Sequence, residues 1–257
     1  NLHEIQSYFC LIDLADKIKI KKIKKKKDKI LFKGPFAKLV NKSNNSILSL
    51  FTLLRRLGLI SNFYSVTIVK NIPVFAGLGG GTANVATILK YLFKRKIRRS
   101  LLNQVEDRVG SDLKLFFYNQ GFMKNLGLIT NIKKKHKLFF LLIQPSVKCS
   151  TKEIYARVKN YSKKKRLEEN RIKTQSKFIS YLSKNSNDLQ SIVEKKYPII
   201  KELLINIGNE KGCYFSRMTG SGSVCYGLFN NQIKAKKALN NLKTKYPKFW
   251  SSLAKTV

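Results

Sequence analysis

A glycine-rich segment between a predicted strand and a predicted helix constrains this chain more than any other feature. Four of the five residues from Gly77 to Gly81 are glycine. The alternating, β-branched residues 64–70 predict a strand before them, and apolar spacing over residues 82–93 predicts a helix after them. Glycine lets several backbone N–H groups turn toward one point, and a helix N-terminus adds about half a positive charge and unused N–H donors. The junction therefore predicts a phosphate-binding cradle, with a tight structural turn as the alternative.

This segment differs from two common nucleotide-binding loops. It lacks the terminal G-K-[ST] of a P-loop, and its glycines do not have the G-x-G-x-x-G spacing of a dinucleotide fingerprint. The hydroxyl of Thr82 can cap the predicted helix and can also reach a phosphate oxygen or Mg²⁺.

The rest of the chain alternates strands with helices, which is typical of a mixed α/β layered protein. Lysine and isoleucine alternate over residues 17–21, so we expect a strand with one solvated face, a hairpin tip at residues 22–28 and a return strand at residues 29–33. Helical spacing predicts helices at residues 45–57 and 101–109, and the apolar residues 115–118 predict a strand. Further helices are predicted at residues 152–161, 171–182, 187–194, 199–207 and 232–242, and further strands at residues 138–143, 214–218, 224–229 and 250–257.

The charge balance is strongly basic, with 52 Lys and Arg against 14 Asp and Glu and a formal net charge of +38. A hydrophobic content of 43% nevertheless provides a core and excludes a wholly disordered chain. The basic runs are either a consequence of A/T-rich codons, which also favour Ile and Asn, or a surface for nucleic acid or acidic membranes. Along residues 17–33 the lysines are either a solvated edge or an anion-binding patch. The runs contain no interleaved aromatic residues, so we expect no specific nucleic-acid partner.

Cysteine and histidine usage excludes several kinds of site. Cys10, Cys149, Cys213 and Cys225 are far apart and form no C-x-x-C pair, which disfavours zinc. Two histidines leave little for a Ser–His triad. The cysteines therefore predict buried thiols of a cytosolic protein, and no uncharged apolar stretch approaches the roughly 20 residues that span a bilayer.

Two further motifs could carry chemistry. Gly110-Ser111-Asp112 is either a turn former or the source of a carboxylate base near a phosphate. Residues 218–223, Met-Thr-Gly-Ser-Gly-Ser, join two predicted strands through small residues that admit a charged ligand, although a plain hairpin fits equally well.

Together, these three motifs resemble those of the GHMP kinases, the superfamily of galactokinase, homoserine kinase and mevalonate kinase. The triple glycine of residues 79–81 resembles in particular the 4-diphosphocytidyl-2-C-methyl-D-erythritol kinases. Gly110-Ser111-Asp112 resembles their G-A-D segment, and residues 218–223 resemble their third motif. Residues 3–7, with residues 12–16, resemble their Y-H-x-x-x-S…D-x-x-D stretch.

The resemblance implies an α+β, two-domain GHMP kinase fold. We expect a ribosomal protein S5 domain 2-like N-terminal ATP-binding domain over residues 1–134 and a ferredoxin-like C-terminal domain over residues 135–257. It implies an ATP- and Mg²⁺-dependent kinase that phosphorylates the 2-hydroxyl of 4-diphosphocytidyl-2-C-methyl-D-erythritol in the non-mevalonate isoprenoid route. The implied protein is a cytoplasmic monomer or homodimer that acts on a small molecule and has no membrane partner.

The resemblance also implies roles for individual residues. Asp112 would be the catalytic base, and Asn45 would lie near the adenosine pocket. His3 and Tyr155 would contact the cytosine, since a stacked aromatic suits any nucleobase, although Tyr155 equally fits the apolar face of a helix. The ATP-phosphate residues would be Pro73, Gly77, Leu78, Gly79, Gly80, Gly81, Thr82, Ala83 and Asn84, and the third-motif substrate contacts Gly220, Ser221 and Gly222.

Four departures from the family pattern bear on activity. The family's early P-x-K-[IL]-N strand, whose Lys partners the catalytic Asp, is absent, so the chain is expected to be N-terminally truncated and, if whole, crippled in catalysis. Ala83 replaces a second hydroxyl residue, Leu2 replaces the Tyr before His3, and Lys114 replaces a proline. The alternatives are a homoserine- or mevalonate-type kinase, a catalytically impaired fragment of the kinase, and a basic RNA- or DNA-binding protein.

Overall fold

The computed structural model describes residues 6–94, 97–125, 128–159, 161–163 and 172–257. The strands there are β1 (Ser7–Cys10), β2 (Lys17–Ile23), β3 (Lys29–Lys33), β4 (Phe63–Val69), β5 (Gln120–Asn125), β6 (Leu128–Asn131), β7 (Phe139–Gln144), β8 (Cys213–Met218), β9 (Cys225–Phe229) and β10 (Trp250–Lys255). The α-helices are α1 (Ser46–Arg56), α2 (Gly80–Phe93), α3 (Arg99–Val109), α4 (Thr151–Ala156), α5 (Gln175–Ser183), α6 (Gln190–Lys196), α7 (Pro198–Gly208) and α8 (Gln232–Lys245).

The chain divides into two compact units that alternate along the sequence. The first contains residues 6–9, Leu14–Val74 and Gly79–Thr130, and the second contains Asn131–Val257 together with Cys10–Asp13 and Phe75–Leu78. The chain therefore leaves the first unit after Val74 and returns to it at Gly79, within the glycine-rich segment. A boundary at residues 134/135 stays a prediction.

The first unit contains a sheet in the order β2-β4-β3 and another in the order β1-β5-β6. The isoleucines that alternate with lysine along β2 pack against the core, while the lysines are exposed. Helices α1, α2 and α3 complete this core, whose fully buried side chains include Phe51, Ile68, Leu89 and Leu113.

The predicted hairpin of residues 17–33 is wrong, because β4 lies between its two strands. Lys19 of β2 pairs antiparallel with Thr67, and Leu31 of β3 pairs parallel with the same residue. Direct pairing would have placed lysines opposite one another, which is unfavourable, and β4 separates them with uncharged residues. The parallel β3–β4 pair needs a crossover connection, which α1 supplies.

The strand predicted at residues 115–118 is also wrong, since Leu113–Phe117 forms a 3₁₀ helix. The N–H of Leu115 donates to the carbonyl of Asp112 at 3.1 Å, and Lys114 forms an ion pair with Glu106 of α3. A short apolar run cannot be assigned to strand or helix by periodicity alone. Here the burial of Leu113 beside α2 and α3 favours the helical turn.

The second unit contains an antiparallel sheet in the order β10-β7-β9-β8. Taken in chain order with α7 and α8, these strands give the βαββαβ pattern of a ferredoxin-like fold. The C-terminal architecture that the family resemblance implied is therefore confirmed. Its core joins α7 and α8 to the sheet through Leu203, Ile207, Phe229 and Ala238.

All four cysteines are thiols, and burial raises the pKa of Cys10 to about 12 and that of Cys213 to about 11. Such groups are thiols at neutral pH, so they are inert as nucleophiles. Among the described helices, none combines the length and the apolar run needed to cross a bilayer.

Candidate active site

Helix α2 begins at the glycine-rich segment without a side-chain cap. Gly79 precedes the helix with a φ of +64° and offers no side-chain oxygen to the first N–H groups. A Cβ at Gly79 would lie 2.8 Å from Phe116, so only glycine fits both the backbone and the space. The N–H of Ala83 donates to the carbonyl of Gly79 at 2.8 Å, which closes the first turn. The helix N-terminus thus keeps donors that can bind an anion.

The N-terminus of α1 lies beside that of α2. A Cβ at Gly81, which is exposed, would be 3.8 Å from Ser46 Oγ. Asn45 caps α1, since its Oδ1 accepts from the N–H groups of Ile47 and Leu48 at 3.1 Å each, and its Nδ2 donates to Lys42 O at 3.1 Å. The side-chain amide of Asn45 is thus used in local structure, and its predicted place near an adenosine stays a prediction.

A buried acid–base pair lies under the glycine-rich segment. Lys70, at the end of β4, forms an ion pair with Asp16, and both side chains are nearly inaccessible. Asp16 also accepts from Asn84 Nδ2 at 2.9 Å, where Asn84 is buried in the first part of α2. Asp16 ends the D-x-x-D stretch that resembles the family, but the sequence assigned no role to it or to Lys70. The available signal was a lysine that directly ends a β-branched strand and precedes the glycines.

Gly110, two residues before Asp112, lies beside Thr82 near the start of α2. Gly110 has a φ of +133°, and a Cβ there would be 4.0 Å from Thr82 Oγ1. Asp112 follows two residues later at the start of the 3₁₀ helix, where its side chain forms no cap hydrogen bond. The first and second predicted motifs are therefore neighbours within the first unit.

Asp112 has the electrostatic properties of a proton acceptor. Although the residue retains exposed surface, desolvation by the surrounding protein raises the pKa of its carboxyl. No residue that the structure describes forms a hydrogen bond or an ion pair with this carboxylate. An unpaired carboxylate with a raised pKa is suited to accept a proton.

In the second unit, Phe75–Leu78 is hydrogen-bonded to the third motif. Val224 N–H donates to Ala76 O at 3.2 Å, and Thr219 Oγ1 donates to Gly77 O at 3.1 Å. Gly77 has a φ of +69°, and a Cβ there would lie only 2.3 Å from Thr219 O. The approach of the two backbones therefore explains why Gly77 is a glycine.

The third motif is supported by residues that the sequence analysis did not identify. Asn187 Nδ2 donates to Met218 O at 2.9 Å and to Gly220 O at 2.8 Å. The hydroxyls of Ser221 and Thr151 are hydrogen-bonded at 2.9 Å. These contacts hold Gly220 exposed while Ser221 is buried. No sequence pattern links positions so far apart.

Of the two residues predicted to contact the cytosine, the structure describes only Tyr155. Tyr155 is half-buried in α4 and packs against the core of the second unit, which is the alternative that the sequence left open. Its predicted role stays a prediction. His3 lies outside the described residues.

Comparisons with known proteins identify the family. The model of the GHMP kinases N terminal domain matches residues 45–110, and that of the GHMP kinases C terminal matches residues 164–248. A 4-diphosphocytidyl-2-C-methyl-D-erythritol kinase from Pelagibacter ubique is 32% identical over 261 residues, which cover 100% of this chain and 92% of the relative. This chain belongs to that family of GHMP kinases. The resemblance drawn from the three motifs is confirmed.

Other members of the superfamily support the fold. A kinase of the same name from Caldanaerobacter subterraneus is 30% identical over 269 residues, 99% of this chain and 89% of the relative. A solved 4-(cytidine 5'-diphospho)-2C-methyl-D-erythritol kinase has a TM-score of 0.74 and 20% identity, covering 98% of this chain and 90% of that chain. Homoserine kinase from Cytophaga hutchinsonii follows with a TM-score of 0.67 and 15% identity, covering 96% and 87%. The predicted α+β GHMP kinase fold is confirmed. The identities of 32% and 30% to kinases of one name then show which family of the superfamily this chain belongs to.

Proposed function

We propose that this protein transfers the γ-phosphoryl group of ATP to the 2-hydroxyl of 4-diphosphocytidyl-2-C-methyl-D-erythritol, in the non-mevalonate isoprenoid route. The family membership supports the substrate. The observation that carries the chemistry is the position of Gly110 beside Thr82, which brings the segment of Asp112 to the uncapped N-terminus of α2. Phosphoryl transfer depends mainly on positioning and on stabilisation of charge, and this arrangement supplies both.

In the proposed mechanism, N–H groups of the segment from Gly77 to Asn84 bind the phosphates of ATP, after the turn that begins at Pro73. The Asp112 carboxylate accepts the proton of the substrate hydroxyl. The hydroxyl oxygen then forms a bond to the γ-phosphorus, the bond between that phosphorus and the β–γ bridging oxygen breaks, and ADP leaves with the bond's electron pair. The raised pKa of Asp112 suits it to take this proton.

Mg²⁺ bound with ATP would neutralise charge on the phosphates. Among the described residues, no group of three or more His, Cys, Asp and Glu side chains could hold a metal ion. Mg²⁺ in kinases is held by few protein ligands together with phosphates and water, so this chain's residues are compatible with it. We propose that Thr82 contributes its hydroxyl.

The remaining residues are proposed to have the following roles. Asn45 lies near the adenosine, His3 and Tyr155 contact the cytosine, and the loop of Gly220, Ser221 and Gly222 binds the substrate. The exposed position of Gly220, held by Asn187, supports a ligand contact for this loop.

A coupled assay of ADP release with this substrate tests the proposal. We expect substrate-dependent turnover that Asp112→Asn lowers by roughly 10²- to 10⁴-fold while the affinity for an ATP analogue is retained. Asp107→Asn is the matched control, because Asp107 is an exposed acid on the neighbouring helix α3. ADP release with homoserine or mevalonate, but not with the cytidine-linked alcohol, would overturn the substrate assignment.

A further inference from the structure

Asp16 joins the two ends of the glycine-rich segment through one buried carboxylate. On the strand side, its Oδ1 accepts from the backbone N–H groups of Asn71 at 2.8 Å and Ile72 at 2.9 Å. On the helix side, its Oδ2 accepts from Asn84 Nδ2 at 2.9 Å. Lys70 adds its ammonium to Oδ2. Asn71 and Ile72 immediately precede Pro73, and Asn84 belongs to α2, so the carboxylate contacts the chain on both sides of the loop.

Lys70, the ion-pair partner of Asp16, also lies close to the glycine-rich segment. Its Nζ would be 3.4 Å from a Cβ on Gly80, the first residue of α2. A side chain at Gly80 would also meet Ile72 Cγ2 at 2.9 Å. The side chains of Lys70 and Ile72 therefore lie against the backbone at the start of α2, and Asp16 is hydrogen-bonded on both the strand side and the helix side.

The energetics of the pair favour a positional role over simple stabilisation. Removing a carboxylate and an ammonium from water is costly, and hydrophobic residues of similar volume often stabilise a fold as well. The Asp16 side chain is 1% exposed and that of Lys70 is 6% exposed. Four donors satisfy the carboxylate, so its position is tightly specified. A negative charge near the N-terminus of α2 is also favourable.

We propose that Asp16 is a positioning residue for phosphoryl transfer: through Asn71, Ile72 and Asn84 it holds the glycine-rich segment in the conformation that receives the ATP phosphates. The proposal rests on the proposed kinase function. Transfer rates depend steeply on such positioning, because reacting atoms misplaced by about 1 Å can lose roughly 10²-fold in rate.

The test compares Asp16→Asn with Asp28→Asn. Asp28 is a matched control because it is a buried carboxylate of the same unit that accepts two hydrogen bonds from Arg55 and one from the N–H of Tyr64. Among the residues that the structure describes, Asp28 contacts Arg55 and Tyr64, and none of these contacts reaches the glycine-rich segment. Each variant is measured for unfolding by urea and for binding of adenosine and of a non-hydrolysable ATP analogue.

A positioning role predicts a split between the two ligands. Asp16→Asn should bind the ATP analogue roughly tenfold or more weakly, while adenosine, which has no phosphates, binds within about twofold of the unaltered protein. Asp28→Asn should leave both affinities unchanged. Equal losses for both ligands, or equal losses in both variants, would mean that Asp16 is merely structural and would overturn the proposal.

A second variant keeps the test decisive if Asp16→Asn does not fold. Asn84→Ala removes the hydrogen bond on the helix side and leaves Asp16 paired with Lys70. It should show the same selective loss of the ATP analogue, and unchanged affinity would overturn the proposal. If the unaltered protein binds no ATP analogue, the kinase function itself fails; if it binds and both variants bind equally well, only the role of Asp16 fails.

Discussion

The carbonyl oxygen of Phe75 accepts a hydrogen bond from the backbone N–H of Ser223 at 3.1 Å, although the two residues are 148 positions apart. Gln144 Nε2 is 3.3 Å from the same oxygen. These contacts fix the peptide group that follows Phe75, whose φ is +56°. Residues other than glycine rarely adopt this left-handed backbone conformation. The second unit therefore contains a strained residue, Phe75, just before the glycines.

Phe75→Gly should therefore be more stable than Phe75→Ala. The left-handed conformation costs a residue with a Cβ roughly 1–2 kcal/mol, while glycine loses more entropy on folding, by roughly 0.5–1 kcal/mol. We expect a net difference of about 1 kcal/mol in the free energy of unfolding in favour of glycine, measured in urea. Because both variants lack the ring of Phe75, which is 48% exposed, the difference between them contains no contribution from burial of that ring.

Gly58→Ala calibrates that measurement. Gly58 has a φ of +66° and no atom within 4 Å of an added Cβ, so its replacement reports the conformational cost alone. If Phe75→Ala and Phe75→Gly are equally stable while Gly58→Ala is destabilised, the strain at Phe75 is absent in solution.

The local features of the site could be predicted from the sequence, because they depend on neighbouring residues. Glycine content and the following helical spacing predicted a helix start at this segment. The predicted capping role of Thr82 is wrong, because α2 begins at Gly80 and Thr82 lies within its first turn. Asn45 after polar residues predicted the start of α1, and the structure confirms it as the cap.

Contacts between distant residues could not be predicted in this way. Asp16 is hydrogen-bonded to Asn84 across 68 positions, and Asn187 to Gly220 across 33.

Strand β5 was not predicted, because Gln120–Asn125 contains glycine, lysine and amides without alternating polarity. Its pairing within the β1-β5-β6 sheet overrides its weak intrinsic preference.

Alanine at Gly80 and alanine at Gly81 should have opposite effects on stability. At Gly80 the new Cβ would be 2.9 Å from buried Ile72, so we expect a loss of roughly 1–3 kcal/mol. At Gly81 the nearest atom is Ser46 Oγ at 3.8 Å, so better helix propensity should raise stability by roughly 0.5 kcal/mol. Unfolding in urea measures both.

The Gly81→Ala variant also tests whether the start of α2 binds phosphates. Gly81→Ala should fold well and yet bind an ATP analogue more weakly, because the methyl group occupies exposed space at the helix N-terminus. Unchanged affinity in this stable variant would mean that phosphates do not approach Gly81.

Asn45 should contribute to stability as a helix cap. Asn45→Ala removes the oxygen that accepts from Ile47 and Leu48, and we expect a loss of about 1 kcal/mol. Asn45→Asp keeps an acceptor at this position, so its free energy of unfolding should lie within roughly 0.5 kcal/mol of that of the unaltered protein. A loss of equal size in both variants would assign the stabilisation to Nδ2, which donates to Lys42 O, rather than to the cap.

Asp112→Asn should raise stability at neutral pH while it removes activity. Because desolvation raises the pKa of Asp112 in the folded state, the folded protein holds this proton more tightly than the unfolded chain does. As pH rises from the ordinary Asp value of about 3.9 through the raised pKa, the ionised carboxylate progressively destabilises the fold. Asparagine avoids that cost, so its advantage in urea should be present at pH 7 and smaller near pH 4.

The same group should set the acid limb of the rate profile. Only the ionised form of Asp112 can accept the hydroxyl proton, so kcat should rise with pH through a pKa above the ordinary range for Asp. Asp107→Asn should change neither the stability difference nor this limb, because that acid is exposed. An Asp112→Asn variant less stable than the unaltered protein at pH 7 would show that the charge stabilises the fold. A kcat profile that is flat across this range would show that another group accepts the proton.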